Sequence, residues 1–259
     1  MNETVTVDGR DAVVRVHRGR GPTLVLVHGA GGNHHYWDEL LPVLGGIDLV
    51  APSLPGRCGS GGEPFETVAD MAAWLRTVLC KLGRSRVVVA GHSLGGAVAL
   101  EHAIRQREEG RPELAGLVLL SSGARLRVSP IIFEAVDGAI ASGMPADLGR
   151  LTYGSDTAPE VVERVERDRR RTPPETERAD WTASHAFDRM EDLGRIDAPT
   201  LVLAGAADAL TPLKYARYLE ENIGGARLEV VEGGGHMLPV ERPREVGELI
   251  RDFVAGLRP

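Results

Sequence analysis

Cysteine is almost missing from this chain. Cys58 and Cys80 are the only two; they form no C-x-x-C pair and have no histidines at metal-ligand spacing, which excludes a disulfide framework and a structural zinc site. Both are expected to be free thiols, and no metal is expected. Aromatic residues make up only 4% of the chain and the formal net charge is -7, with no basic stripe, so nucleic-acid binding is not expected. No apolar run approaches the roughly eighteen residues of a membrane span, and Met1 to Asp8 has neither the basic nor the apolar region of a secretory signal. The expectation is a cytoplasmic protein that contacts no membrane.

What the chain does have is enough length, 259 residues with 42% hydrophobic and 26% charged content, to bury a globular core as one α/β domain. Its organising stretch runs from Arg86 to Leu100. Val87 to Ala90 reads as a strand buried on both faces, and Ala97 to Leu100 as a helix. Between them Gly91-His92-Ser93-Leu94-Gly95 fits G-x-S-x-G. That pattern places a serine on a sharp strand-to-helix turn, where small neighbours let the two elements approach and the hydroxyl stands above the sheet. Ser93 is therefore the candidate nucleophile, and the N–H of Leu94, unpaired at a helix N-terminus, is a candidate oxyanion donor.

Upstream, Thr4 to Val7 and Ala12 to Val16 read as a hairpin turned at Asp8-Gly9-Arg10, and Thr23 to Val27 as a buried strand. That strand runs into His28-Gly29-Ala30-Gly31-Gly32-Asn33, which lacks the spacing of a nucleotide-binding loop. Its glycines instead suit a backbone donor, Ala30 N–H, facing Ser93. His28 reads as structural, bonded to the loop backbone, rather than catalytic. His34 and His35 are expected at the pocket entrance or on a solvated loop face. Tyr36 to Leu44 suits a short helix, Ile47 to Ala51 a strand, Thr67 to Leu82 a helix of regular apolar period, and Leu114 to Leu120 another buried strand. This alternation implies an α/β fold: a mostly parallel sheet with helices on both faces.

The rhythm stops at Ser121 and resumes at Ala198. Residues 123–197 hold helical patches, Ile131 to Ala141 and Glu160 to Arg171, broken at Gly143-Met144-Pro145 and Pro173-Pro174. An insertion on this side is expected to be a helical cap over a core of residues 1–122 and 198–259. Ile131, Ile132, Phe133, Val136 and Ile140 are expected to face the pocket or the core. The charges from Glu160 to Arg171 alternate at helical spacing around Val161, Val162 and Val165, which favours a solvated amphipathic helix over a docking face.

Beyond Leu201 to Ala204, another buried strand, lies Asp208; beyond the strand Leu228 to Val231, three glycines precede His236. Ser93, Asp208 and His236 thus follow core strands in the order a Ser-Asp-His triad takes in this architecture. Serine needs a base to take its proton, and the imidazole needs an acid to fix its tautomer. Asp197 precedes its strand and lies at the wrong end of the sheet.

With these residues in place, the chain resembles the α/β-hydrolase superfamily over nearly its whole length. It is most similar to small bacterial hydrolases that include carboxylesterases, enol-lactonases, cofactor-free haloperoxidases and the pimeloyl-carrier-protein methylesterase. The matching pieces are His28-Gly29, Leu54-Pro55-Gly56, Gly91 to Gly96, Pro199 to Leu203 with Asp208 and Thr211-Pro212, and Gly235-His236 with Glu241-Arg242-Pro243. The resemblance implies the α/β-hydrolase fold with a helical cap, Ser93, Asp208 and His236 as triad, Ala30 and Leu94 as oxyanion donors, and no cofactor. One departure stands out: Ser53-Leu-Pro-Gly-Arg57-Cys58 replaces the relatives' Asp-Leu-Pro-Gly-His-Gly. The expected activity is hydrolysis of a small carboxylic ester, lactone or thioester through an acyl-enzyme. Carbon–carbon bond hydrolysis or elimination on the same triad is the alternative, with Arg57 or a cap arginine recognising a dicarboxylate, and a ligand-binding protein that keeps the fold is another. The expected partner is a small-molecule substrate; a carrier-borne one is less favoured, since it requires the cap arginines to present one face.

Overall fold

The computed structural model describes residues 1–144, 146–148 and 151–257. Asn2–Val7 (β1) and Arg10–His17 (β2) form the expected hairpin, joined through Asp8 and Gly9, whose φ values of 49° and 77° suit a two-residue turn. Then follow Arg20–Val27 (β3), Ile47–Pro52 (β4), Val68–Lys81 (α1), Arg86–His92 (β5), Leu94–Glu109 (α2) and Glu113–Leu120 (β6). After the insertion come Thr200–Gly205 (β7), Lys214–Asn222 (α6), Arg227–Val231 (β8), Leu238–Glu241 (α7) and Pro243–Ala255 (α8). The eight strands make one sheet ordered β1-β2-β4-β3-β5-β6-β7-β8, parallel except where β2 pairs with β1 and β4.

The central strands alternate sharply. Val25, Val27, Val87, Val89, Leu117, Leu119 and Val202 face the core under α1 and α2, while Leu24, Leu26, Val88, Ala90, Val118, Leu120 and Leu201 face the core under α8. Period-two side chains buried on both faces are what a doubly covered parallel sheet requires. Because the strands run parallel, the ends of β3, β5, β7 and β8 open at one edge. The strand order reverses beside β3 and β5, and open α/β sheets bind ligands in the crevice at such a switch point.

Two elements differ from the sequence-based expectation. Between Tyr36 and Leu44 there is no helix: a 3-10 turn covers His34–Trp37, and successive hydrogen-bonded turns follow to Gly46. Pro42 cannot donate and disfavours helical backbone before it, yet Trp37, Leu40 and Leu44 stay buried. At Pro173-Pro174, read as a break, a helix begins instead.

The insertion between β6 and β7 carries Pro130–Ser142 (α3), Pro159–Arg169 (α4) and Pro174–Ala186 (α5), each opening on a proline. Proline's fixed φ and missing donor fit the first helical position, which is why Pro174 starts α5 rather than ending anything. Pro145, the other predicted breaker, lies outside the described residues. Val128, Ile132, Val136, Ala139, Leu148 and Trp181 form a small core of the insertion's own. Ile132 and Val136 are buried as expected, whereas Ile131 and Ile140 are 56% and 38% exposed, because α3 turns its flanks to solvent. On α4 only Val165 is buried; Arg164 pairs with Glu39, Asp168 with Arg171, and Arg169 with Glu166 and with Glu177 of α5, the arrangement of an amphipathic surface helix.

Candidate active site

Ser93 sits between β5 and α2 with φ 54° and ψ -117°, a conformation that costs a non-glycine residue about 1 to 3 kcal/mol. Although it stands at the helix N-cap, its hydroxyl caps nothing. The neighbouring glycines make the turn feasible. A Cβ on Gly91 would lie 2.0 Å from Gly95 O, and one on Gly95 would lie 2.0 Å from Val27 O. Gly95→Ala is therefore expected to destabilise the protein by about 3 kcal/mol or to abolish soluble folding, since backbone cannot yield as a side-chain tip can. Thermal unfolding of the purified variant checks this; an unchanged melting temperature would contradict the tight elbow.

The structure brings the three predicted residues together. His236 Nε2 lies 3.0 Å from Ser93 Oγ, and His236 Nδ1 lies 2.9 Å from Asp208 Oδ2. All three are buried, 4 to 6% exposed. Asp208 also accepts from the N–H groups of Leu210 and Thr211, at 2.9 and 2.8 Å, and from the Thr211 hydroxyl at 2.6 Å. Burial alone would raise the Asp208 carboxyl, but the adjacent His236 and these donors outweigh it and hold the group well below the usual carboxylate range. An ionised Asp208 accepts from Nδ1–H of His236, which leaves Nε2 as the acceptor for the Ser93 hydroxyl.

Leu94 follows Ser93 as the first residue of α2, and Ala30 lines the same pocket as Ser93. The Gly29 carbonyl, in the same peptide plane as Ala30 N–H, accepts from Gly32 N at 3.1 Å and from His28 Nδ1 at 2.9 Å. In a trans peptide the Ala30 N–H must then point the opposite way. Among the described residues no protein group accepts from the N–H of Ala30 or of Leu94, the first residue of α2. His28 is structural, its Nε2 accepting from Leu54 N at 3.1 Å, and burial holds its pKa well below the ordinary value, hence neutral.

Other predicted residues separate. His34 is buried against Ser53 Oγ at 2.7 Å, whereas His35 lies at the pocket rim beside Asp38. Arg57 lines neither pocket beside Ser93: its side chain is 1% exposed and its guanidinium grips Asp180 of α5 at 2.5 and 2.8 Å. Its expected role in dicarboxylate recognition is thereby removed, because both terminal nitrogens are committed to a buried acid. Cys58 and Cys80 are free thiols.

His92 was not singled out by the sequence, since the variable position of G-x-S-x-G carries no obvious constraint. Here it stacks on Tyr36 at 4.9 Å, and its Nε2 donates to the His236 carbonyl at 2.8 Å. Burial, followed by the neighbouring His236, lowers its pKa to about 3, so it holds the His236 loop as a neutral ring. Glu241 acts from the other side. One carboxylate oxygen accepts from Gly235 N at 3.1 Å, and from Gly154 N and Thr157 Oγ1 of the insertion at 2.9 and 2.6 Å.

Two pockets share Ser93 and His236. One, of about 190 Å³, runs beneath α4 and is lined by Gly29, Ala30, Tyr153, Arg164, Arg169 and Trp181 among others. The second, about 230 Å³, lies under α3 against Leu126, Val128, Ile132 and Leu210. In the first, Arg164 pairs with Glu39 at 3.2 Å, and Arg169 with Glu166 and Glu177 at 2.7 and 2.9 Å. No metal-binding cluster of histidine, cysteine and acidic residues occurs among the described residues. Nor is any described helix long and apolar enough to cross a membrane.

Comparison with known proteins agrees with this architecture. The chain is 31% identical to a pimeloyl-[acyl-carrier protein] methyl ester esterase of Neisseria meningitidis serogroup C over 263 aligned residues, covering 95% of this chain and 96% of the relative. A thermophilic esterase from Thermogutta terrifontis superposes with a TM-score of 0.84 at 25% identity, over 98% of each chain. An enol-lactonase from Burkholderia xenovorans LB400 superposes with a TM-score of 0.87 at 20% identity, over 98% of this chain and 100% of the other, which speaks to the fold. Residues 24–249 match the alpha/beta hydrolase family, in keeping with the strand order and the elbow, and the chain belongs to that family of enzymes.

Proposed function

We propose that this protein is a serine carboxylic ester hydrolase that works through an acyl-enzyme. The observation that carries the reading is the unbroken relay from Ser93 Oγ to His236 Nε2 at 3.0 Å and from His236 Nδ1 to Asp208 at 2.9 Å, set where two pockets meet. In the first step His236 takes the Ser93 proton as Oγ attacks the ester carbonyl, and Asp208 stabilises the imidazolium. Ala30 and Leu94 N–H groups face the oxygen that becomes negative. His236 then returns the proton to the departing alcohol. A water activated by His236 releases the acid, and Ser93 regains its hydroxyl. No step calls on a cofactor. The helical insertion, residues 123–197, serves as the cap that walls both pockets.

An ester has two substituents, and the two pockets offer one lobe to each. The arginines lining the lobe beneath α4 are paired with acids, so a neutral ester suits it better than a dicarboxylate, and ester hydrolysis is favoured over carbon–carbon cleavage. A carrier-borne acyl ester, the substrate named for the Neisseria relative, enters as one arm of the test. The experiment varies the acyl chain of p-nitrophenyl esters from acetate to octanoate, then varies the alcohol at fixed acyl group, and includes one methyl ester on a carrier protein. Turnover with separate optima for acyl and alcohol supports the reading. Hydrolysis of none of them by folded protein overturns it.

A further inference from the structure

We infer that the buried Arg57–Asp180 pair is a positioning device for the oxyanion loop, through which α5 of the insertion sets the reactivity of Ser93. The inference rests on the proposed role of Ala30 as oxyanion donor. Asp180 is wholly buried and accepts three hydrogen bonds: two from Arg57, at 2.5 and 2.8 Å, and one from Gly31 N at 2.9 Å. Arg57 also reaches the Gly32 carbonyl at 3.4 Å. The pair therefore holds the turn on the far side of Ala30, while His28 and Gly32 N hold the Gly29 carbonyl on the near side. The Ala30 N–H is fixed between them.

The turn needs such fixing. Gly31 has φ 67°, and glycine leaves the backbone just beyond Ala30 free to adopt other conformations, so an anchor on the Gly31 N–H limits how far Ala30 and its own N–H can move. Asp180 selects the orientation in which Gly31 N–H faces α5. Glu177, one helical turn earlier, closes the space, since a Cβ on Gly31 would lie 2.9 Å from its Cδ. Stability alone does not account for the pair: a buried salt bridge gains little over apolar residues of similar volume, because desolvating two charges offsets their attraction. What apolar residues cannot do is accept from Gly31 N–H.

The test uses the double variant Arg57→Met with Asp180→Leu, which removes both charges together and leaves no unpaired ion. The first readout is the second-order rate at which a fluorophosphonate labels Ser93, since that reaction also develops negative charge on an oxygen in the hole. We expect labelling to slow roughly 10- to 100-fold, less than complete loss of a donor, with the melting temperature lowered by only a few degrees, the cost of leaving Gly31 N–H without its acceptor. With p-nitrophenyl butyrate, kcat should fall by the same factor and KM by less than threefold. Phenylboronic acid, which mimics the tetrahedral adduct, should weaken in proportion. Arg57→Lys, which keeps the charge but loses the fork, should fall between wild type and the double variant, and it supplies the comparison if the double variant does not fold. Labelling within twofold of wild type in a folded variant, or a loss confined to KM, overturns the inference. If wild-type Ser93 is not labelled at all, the hydrolase reading falls and the inference with it; normal wild-type labelling with an unaffected variant sinks the inference alone.

Discussion

Ser93→Ala is expected to lower kcat/KM for p-nitrophenyl butyrate by roughly four to six orders of magnitude while the protein keeps its fold. On the proposed mechanism the loss is this large because Ser93, His236 and Asp208 act as a unit, and removing the atom that forms the bond leaves only binding and oxyanion stabilisation. Stability should hardly change. The hydroxyl makes no helix cap, its contact is with His236, and the strained φ of 54° is imposed by the turn on serine and alanine alike. Steady-state kinetics beside thermal unfolding separate the two effects. A variant retaining a tenth of the activity would place the nucleophile elsewhere.

The second large effect concerns acid. His102 of α2 is 3% exposed, and among the described residues neither ring nitrogen has a hydrogen-bond partner. Burial, then the nearby Arg76, lowers its pKa from 6.5 to about 4. His92 is lowered further, to about 3, by burial and by His236. The unfolded chain therefore binds protons that the folded chain refuses, and stability rises with pH across this window. Its full contribution is present above pH 6.5 and is lost as pH falls toward 4, by about 3 kcal/mol for each ring at 1.36 kcal/mol per unit. His102→Leu should be nearly neutral at pH 7 and remove its own share of the acid sensitivity, about 2 to 3 kcal/mol at pH 4.5, with His28, His34 and His92 keeping theirs. Urea unfolding at pH 7 and pH 4.5 measures it, and an equal loss of stability on acidification in wild type and variant would contradict the account.

The sheet was legible because its strands repeat short β-branched runs bounded by glycine and proline, and because Asp8-Gly9 admits few turns. The Ser93 elbow was legible for a different reason: Gly91, Gly95 and Gly96 leave no room for a Cβ, so the pattern is forced by contact with Val27 and Ser122. Asp208 and His236 followed from their places after strands. What stayed hidden depends on partners distant in sequence. Arg57 looks like a surface or substrate-binding arginine until Asp180, 123 residues away, is folded onto it. His92 gains its role only when the His236 loop crosses above it. Glu241 was visible as part of a family pattern, yet its grip on Gly154 and Thr157 needs the insertion in place. Pro174 could be read as a stop or a start, and only the packing of Trp181 and Ala183 decides for a helix.

The covalent intermediate on Ser93 is the claim on which the rest depends, and rapid-quench mass spectrometry of the wild type mixed with p-nitrophenyl butyrate tests it most directly. The mass should increase by one butyryl group within the first turnover, the modification should map to the peptide carrying Ser93, and Ser93→Ala should show neither. Turnover without any acyl adduct, or an adduct on another residue, would contradict the account.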